Sequence, residues 1–253
     1  VTNVWRFRAP KQTNVVDIYD DHASSWWNFD NPIFEPLHAM VPARLAYLER
    51  HKIDVAGKLV VDAGCGGGYV AGPLAARGAR VVGFDIAPRA LRAARDHDEH
   101  RPLLETLAFA QASALALPVA NNSVDVVVST DVLVHLPPSL GGARAAIAEA
   151  ARVLRPGGVL WFSTINATAL ARLVLITLGE DLLQLVHKGT HEPATFITPA
   201  AMTAMCADVG LDLVSSEGVG PVGVGRGPSG RFTLRMGHLP TRGVMWQGHA
   251  VKR

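Results

Sequence analysis

From Lys58 onward, hydrophobic and polar positions fall into alternating blocks. "KLVVDAG", "ARVVGFDI", "SVDVVVST" and "VLWFSTIN" are short continuous apolar runs rich in β-branched residues, as expected of strands buried on both faces. "LAFAQAS" fits a weaker strand between the second and third of these. The stretches 69–77, 88–99 and about 139–154 space their apolar residues as helices do. Five strands alternating with helices predict an α/β fold, a parallel sheet covered on both faces.

The rhythm changes at both ends. Residues 1–56 read as a helical, polar-aromatic cap, in which Trp26 and Trp27 fit either a core or a lid. After Asn166 about 30 residues interrupt the pattern, and "ALARLVLITLGEDLLQLV" has near-helical apolar spacing broken by "GED". "TPAAMTAMCADVG" returns to helix, with Thr198 as its cap and Pro199 in its first turn. "LDLVSSEGV" predicts a sixth strand, the Gly-rich "GVGPVGVGRGPSG" a loop, and "GVMWQGHAVKR" closes the chain. The expected organisation is one domain over 1–253. It comprises a cap (1–56), a ligand-binding core (58–166), an insertion on the substrate side (167–197) and the rest of the sheet (198–253).

The chain has 253 residues, 49% of them hydrophobic and 18% charged, with a net charge of +2. That balance describes a globular protein, and the absence of a Lys/Arg block speaks against a nucleic-acid partner. Cys65 and Cys206 suggest no disulfide framework, which makes a reducing cytoplasm the expected compartment. "VTNVWRFRAPKQ" lacks the features of a secretory signal, and "GED" breaks the longest apolar stretch. Residues 169–191 carry two readings: a helix packed on the substrate side, or an amphipathic element in peripheral contact with a membrane surface.

"VVDAGCGGG" ends the first strand, with glycines at 64, 66 and 68 that let the backbone turn tightly beside a ligand. A dinucleotide loop would need glycine where Tyr69 stands. The spacing D-x-G-x-G-x-G, led by Asp62, belongs with S-adenosylmethionine (SAM). Its sulfonium and amino acid group favour a carboxylate, where a dinucleotide's pyrophosphate favours a helix N-terminus. Asp85, at the end of the second strand, is placed to accept both ribose hydroxyls. Asp125 and the "LRPGG" turn complete the pattern.

With these residues in hand, the chain resembles the class I SAM-dependent methyltransferases, and more narrowly the ubiquinone-biosynthesis O-methyltransferases called UbiG in bacteria and Coq3 in mitochondria. The resemblance rests on "WWNFDNPIFEPLHAMVPARLAYL", "VVDAGCGGG", "VGFDIAP", "FSTIN" and "HKGTHEPATFITP". It implies a Rossmann-like seven-stranded, mostly parallel sheet with the last strand antiparallel. It also implies SAM contacts from Arg44, Gly64, Asp85 and Thr130, and a phenolic or catecholic acceptor, with a polyprenylated quinone precursor as the acceptor the resemblance favours. The alternatives are a different small-molecule acceptor and a SAM-binding accessory protein without transfer activity.

In this fold the fourth strand ends beside the methyl group, so Asp131 and His135 of "VVVSTDVLVHLPP" should face the acceptor. The family pattern there is E-x-x-E-H, whose glutamates and histidine hold a divalent metal; this chain has Asp131, Val134 and His135. Two readings follow. His135 removes a phenolic proton, or Asp131 and His135 help to hold a cation such as Mg²⁺. His187 and His191 flank Gly189, which disfavours a helical metal pair and suggests a closing loop with a second proton acceptor. His38 is a candidate pocket residue or a support of the cap, and Cys65 reads as a small packing residue.

Overall fold

The computed structural model describes residues 19–31, 33–182, 189–226, 230 and 232–253. Eight strands form one sheet in the order β3-β2-β1-β4-β5-β8-β6-β7. The first five are β1 (Leu59–Ala63), β2 (Arg80–Asp85), β3 (Leu107–Gln111), β4 (Val124–Thr130) and β5 (Leu154–Ile165). They pair in parallel. β6 (Leu211–Arg226), β7 (Phe232–Leu239) and β8 (Met245–Lys252) follow, and β8 runs antiparallel to both β5 and β6. Helices α1 (Glu35–Arg50), α2 (Ala71–Ala76), α3 (Pro88–Asp96), α4 (Gly142–Val153), α5 (Ala169–Ala171) and α6 (Pro199–Asp208) complete the chain, with a π-helix over Arg172–Leu182.

The apolar runs explain the layering. Successive strand side chains point to opposite faces. Val61 and Val127 join one core with Ile147, Leu160 and Trp246; Val60, Val126 and Val128 join the other with Leu74 and Trp161. At α6, Thr198 accepts a hydrogen bond from Ala201 N at 3.1 Å, the expected cap. The "LRPGG" turn bulges out of the ladder: Val124 pairs Leu154 and Val126 pairs Val159, which leaves 155–158 unpaired. Arg155 binds Asp125 at 2.6 Å.

Two expectations are corrected. The sheet has eight strands, because β7 adds a hairpin partner to β6 at the sheet edge. Residues 218–226 of the Gly-rich segment expected as a loop form the far half of β6, which runs through Gly218, Gly220, Gly223 and Gly225 to Arg226. Glycine weakens a strand's local signal, and here the long-range pairing with β7 supplies what propensity does not. A Cβ at Gly220 would approach Leu239 Cδ1 at 2.7 Å, so some of these glycines make room for cross-strand neighbours. In the insertion, the helical path continues through "GED" to Leu182.

The strand order reverses between β1 and β4. A crevice opens at such a switch point, beyond the carboxyl ends of the strands. It places the turn after Ala63 beside the residues after Thr130.

Candidate active site

The glycine turn is tied down from two sides. Gly64 N and Cys65 N both donate to Phe84 O, at 2.7 and 3.0 Å. Gly66 N donates to Asp85 Oδ2 at 2.8 Å. Gly64, Gly66 and Gly68 have φ of +85°, +51° and +86°, a region side chains avoid. Their surroundings forbid a side chain as well. An added Cβ at Gly64 would run into Val132, and at Gly66 into the Trp26 ring. Gly68 is backed by His100 and Phe109, away from the crevice. Trp26 is buried with Tyr19, Phe34 and Tyr69 around it, and it is both core and crevice wall. Trp27 instead stacks on His97 with centroids 3.4 Å apart. Cys65 packs into the sheet, its sulfur where a Gly83 side chain would go.

Asp85 spends one lone pair of each oxygen on backbone, the second on Ala87 N at 2.9 Å. The remaining lone pairs are available to a ligand. Asp62 is 2% exposed, and its Oδ1 has no hydrogen-bond partner. Burial, with Asp85 adding to it and Arg44 opposing, pushes the Asp62 carboxyl up to about 7. A buried carboxylate with one oxygen lacking a hydrogen-bond partner, beside a glycine cradle, is a site for a cationic group, which suits the amino acid end of SAM.

Asp131 adopts φ +59° just after β4. One carboxylate oxygen takes the Arg44 guanidinium, and the other accepts from Ser163 Oγ at 2.8 Å. Burial would raise its carboxyl, but the Arg44 charge and the Ser163 and Arg44 hydrogen bonds outweigh that and hold it below the usual carboxylate range. Arg44 comes from α1, so the cap reaches the end of the central strand. Its Nε is buried without a partner. Thr130 lines the same crevice.

His135 lies in a 3₁₀ turn, Leu133–His135, whose end faces the crevice. Burial and the neighbouring His191 pull its imidazole down to about 4 despite Asp131, so the ring is neutral at pH 7. Val134 packs with Ile165, Ala171 and Phe196. The residues do not fit a hard divalent cation, which prefers several oxygens. Asp131 already holds a guanidinium, Val134 offers no donor, and no cluster of three His, Cys, Asp or Glu able to ligate a metal occurs among the described residues.

His191 approaches His135 with centroids 5.8 Å apart. Its Nδ1 lies 2.8 Å from Oε1 of Glu180, a carboxylate that is 3% exposed. His187 falls outside the described residues. His38 serves both roles expected of it: it lines the crevice, and its Nε2 lies 3.3 Å from Trp26 O. Sequence reasoning missed Glu180, Ser163 and Tyr19. Tyr19 lines the crevice too, with its phenol held above the ordinary range by burial, Asp131 and Glu180.

Arg44, Asp62, Asp85, Asp131, His135 and His191 line one cavity of about 1220 Å³. It starts at Trp26 and the glycine turn, passes Asp131 and His135, and reaches Val224, Phe232 and Leu234 of the β6–β7 hairpin.

Residues 61–162 match the family described as Methyltransferase domain. The ubiquinone biosynthesis O-methyltransferase of Methylococcus capsulatus is 35% identical over 206 residues, covering 81% of this chain and 84% of its own. The enzyme of the same name from Azoarcus sp. is 36% identical, covering 81% and 84%. Among solved structures, magnesium protoporphyrin IX methyltransferase from Synechocystis PCC 6803, with bound SAH, matches with a TM-score of 0.65 at 22% identity, over 94% of this chain and 98% of that one. The last likeness is one of fold. On the glycine turn, the switch-point crevice and these relatives, the chain belongs to the ubiquinone biosynthesis O-methyltransferase family and is a SAM-dependent O-methyltransferase.

Proposed function

We propose that the acceptor is a catechol-type ring carrying a polyprenyl tail, methylated on a phenolic oxygen. The observation that carries this reading is the cavity's outer end. Val224, Phe232 and Leu234 both line it and stand 63%, 76% and 50% exposed, so the chamber opens between apolar side chains where a lipid tail would leave. Leu170, Leu173 and Leu182 of the insertion are also at least half exposed, which supports contact of 169–191 with a membrane surface. No described helix is long and apolar enough to cross a membrane.

When bound, SAM supplies an electrophilic methyl group on a sulfonium. In this reading Gly64, Gly66 and Gly68 hold the loop against it, Asp85 offers lone pairs to ribose hydroxyls, and Asp62 faces the ammonium. Arg44 and Thr130 close that end of the chamber. The crevice orients both reactants, which converts an encounter into an aligned approach. The neutral His135 accepts a hydrogen bond from the phenolic hydroxyl, and Asp131, fixed by Arg44 and Ser163, supports that turn.

The test is transfer of a labelled methyl group from SAM to a short-chain prenylated catechol, with and without EDTA. Transfer unaffected by EDTA is the expected result. Transfer abolished by EDTA and restored by Mg²⁺ would overturn the metal-free reading. No transfer, with SAM still bound, would move the acceptor elsewhere. The replacement of a family glutamate by Val134 favours a different phenol as the second reading.

A further inference from the structure

Glu180 is an acid inside an apolar stretch, and the role of its burial lies in what it holds. Its Oε2 accepts Gly189 N at 2.7 Å, while Oε1 accepts His191 N at 3.0 Å and meets His191 Nδ1 at 2.8 Å. Three hydrogen bonds on one carboxylate anchor the later part of the insertion, at Gly189 and His191, to the π-helix and fix the ring of His191. A carboxylate only accepts, so Nδ1 must donate to it. The neutral imidazole is thereby left with Nε2 as a lone-pair acceptor. His191 lines the catalytic cavity, and its other ring neighbour among the described residues is His135.

We infer that His191 is the catalytic proton acceptor, with Glu180 as its positioning residue, and that His135 holds the neighbouring hydroxyl of the catechol. This rests on the reading of the acceptor as a catechol. Two imidazoles with centroids 5.8 Å apart can each meet one of two vicinal hydroxyls. The hydroxyl proton passes to His191 Nε2 and its bonding pair stays on oxygen. The oxygen forms its bond to the methyl carbon as the carbon–sulfur bond breaks, and that pair returns to sulfur. The imidazolium so formed is stabilised by Glu180 and gives its proton to solvent after the product leaves. The Glu180 carboxylate bonded to His191 Nδ1 compensates positive charge that forms on that ring, and this contact favours His191 as the proton acceptor of the two.

The experiment compares wild type, His191→Asn and Glu180→Gln on two acceptors, a simple prenylated catechol and a nitro-substituted one already ionised at the assay pH. His191→Asn keeps the backbone bonds to Glu180, so the loop stays anchored. On the simple catechol its kcat should fall by roughly 10²–10⁴-fold, with SAM affinity and acceptor KM within a few-fold. On the ionised acceptor most of that loss should vanish, and Glu180→Gln should show the same pattern more weakly. Unchanged kcat in His191→Asn, or equal loss on both acceptors, overturns the assignment. Independently of any acceptor, ¹⁵N NMR of the imidazole nitrogens should show His191 protonated at Nδ1 at neutral pH. The Nε2-protonated tautomer would overturn the dyad. If wild type methylates neither catechol while the Nδ1 tautomer is found, the acceptor reading fails and the dyad stands.

Discussion

Arg44, from the helix that precedes the sheet, and Asp131, one residue beyond the fourth strand, form an ion pair with the arginine buried at the switch point. The pair joins the N-terminal cap to the floor of the site, so its loss should be felt in stability as well as in activity. Arg44→Ala leaves the Asp131 carboxylate, whose side chain is 20% exposed, with its Ser163 hydrogen bond but without its ion pair, and up to about 3 kcal/mol of stability should go with it. Chemical denaturation at pH 7 reads this directly.

The same pair gives stability a pH signature. The native Asp131 carboxyl titrates below its unfolded value of about 3.9. Its contribution is therefore complete above that unfolded value and is lost as pH falls through the native one. Acid unfolding of Asp131→Asn should be correspondingly less steep below about pH 4 than that of wild type, measured from pH-dependent melting curves.

Asp62 should behave in the opposite sense. Burial raises its native carboxyl to about 7, so the unliganded fold loses stability as pH rises from the unfolded value toward 7 and then levels off. A cationic ligand group would pull that carboxyl back down and release a proton. SAM affinity should accordingly rise between pH 6 and pH 8 in wild type and stay flat in Asp62→Asn. Calorimetric titrations in buffers of different ionisation enthalpy would detect the proton; a pH-independent affinity in wild type would remove Asp62 from the site.

Gly66 should tolerate no side chain while Trp26 is present. Gly66→Ala meets both the left-handed backbone, at roughly 1–2 kcal/mol, and the indole, at about 1–3 kcal/mol of overpacking. Pairing it with Trp26→Leu should recover the second part and leave the first. A double-mutant cycle on thermal stability separates the two.

The hairpin should discriminate by tail length. Phe232→Ser removes an exposed apolar wall of the cavity mouth, and the loss of about 1 kcal/mol of tail contact should raise KM roughly fivefold for a long-tailed acceptor. A tail-less catechol should show no change. Equal effects on both would place the tail elsewhere.

The parts of this site that were legible in the sequence are those with local causes. Glycine at 64, 66 and 68 answers to backbone angles, and continuous valine runs answer to burial on both faces. Asp85 follows from the end of its strand. What stayed hidden depends on contacts between distant segments. Arg44 meets Asp131 across 87 positions of sequence, and Ser163 reaches the same carboxylate from the neighbouring strand. Glu180 read as a polar break in an apolar stretch because its three partners lie beyond the helix, on Gly189 and His191. The eighth strand was masked by glycines whose pairing belongs to β7.

That hairpin has an evolutionary reading. Asp62 and Asp85 sit on central strands and the glycine turn follows the first of them, while the hairpin wall of the mouth, with α1 beside it, comes from β6 and β7, which enter the chain after Asn166. The glycine turn and the hairpin wall are therefore encoded by separate stretches of the gene. Drift in the later stretch can change what is methylated while the source of the methyl group stays the same. A lineage could acquire a new acceptor by remodelling one ribbon at the sheet's edge.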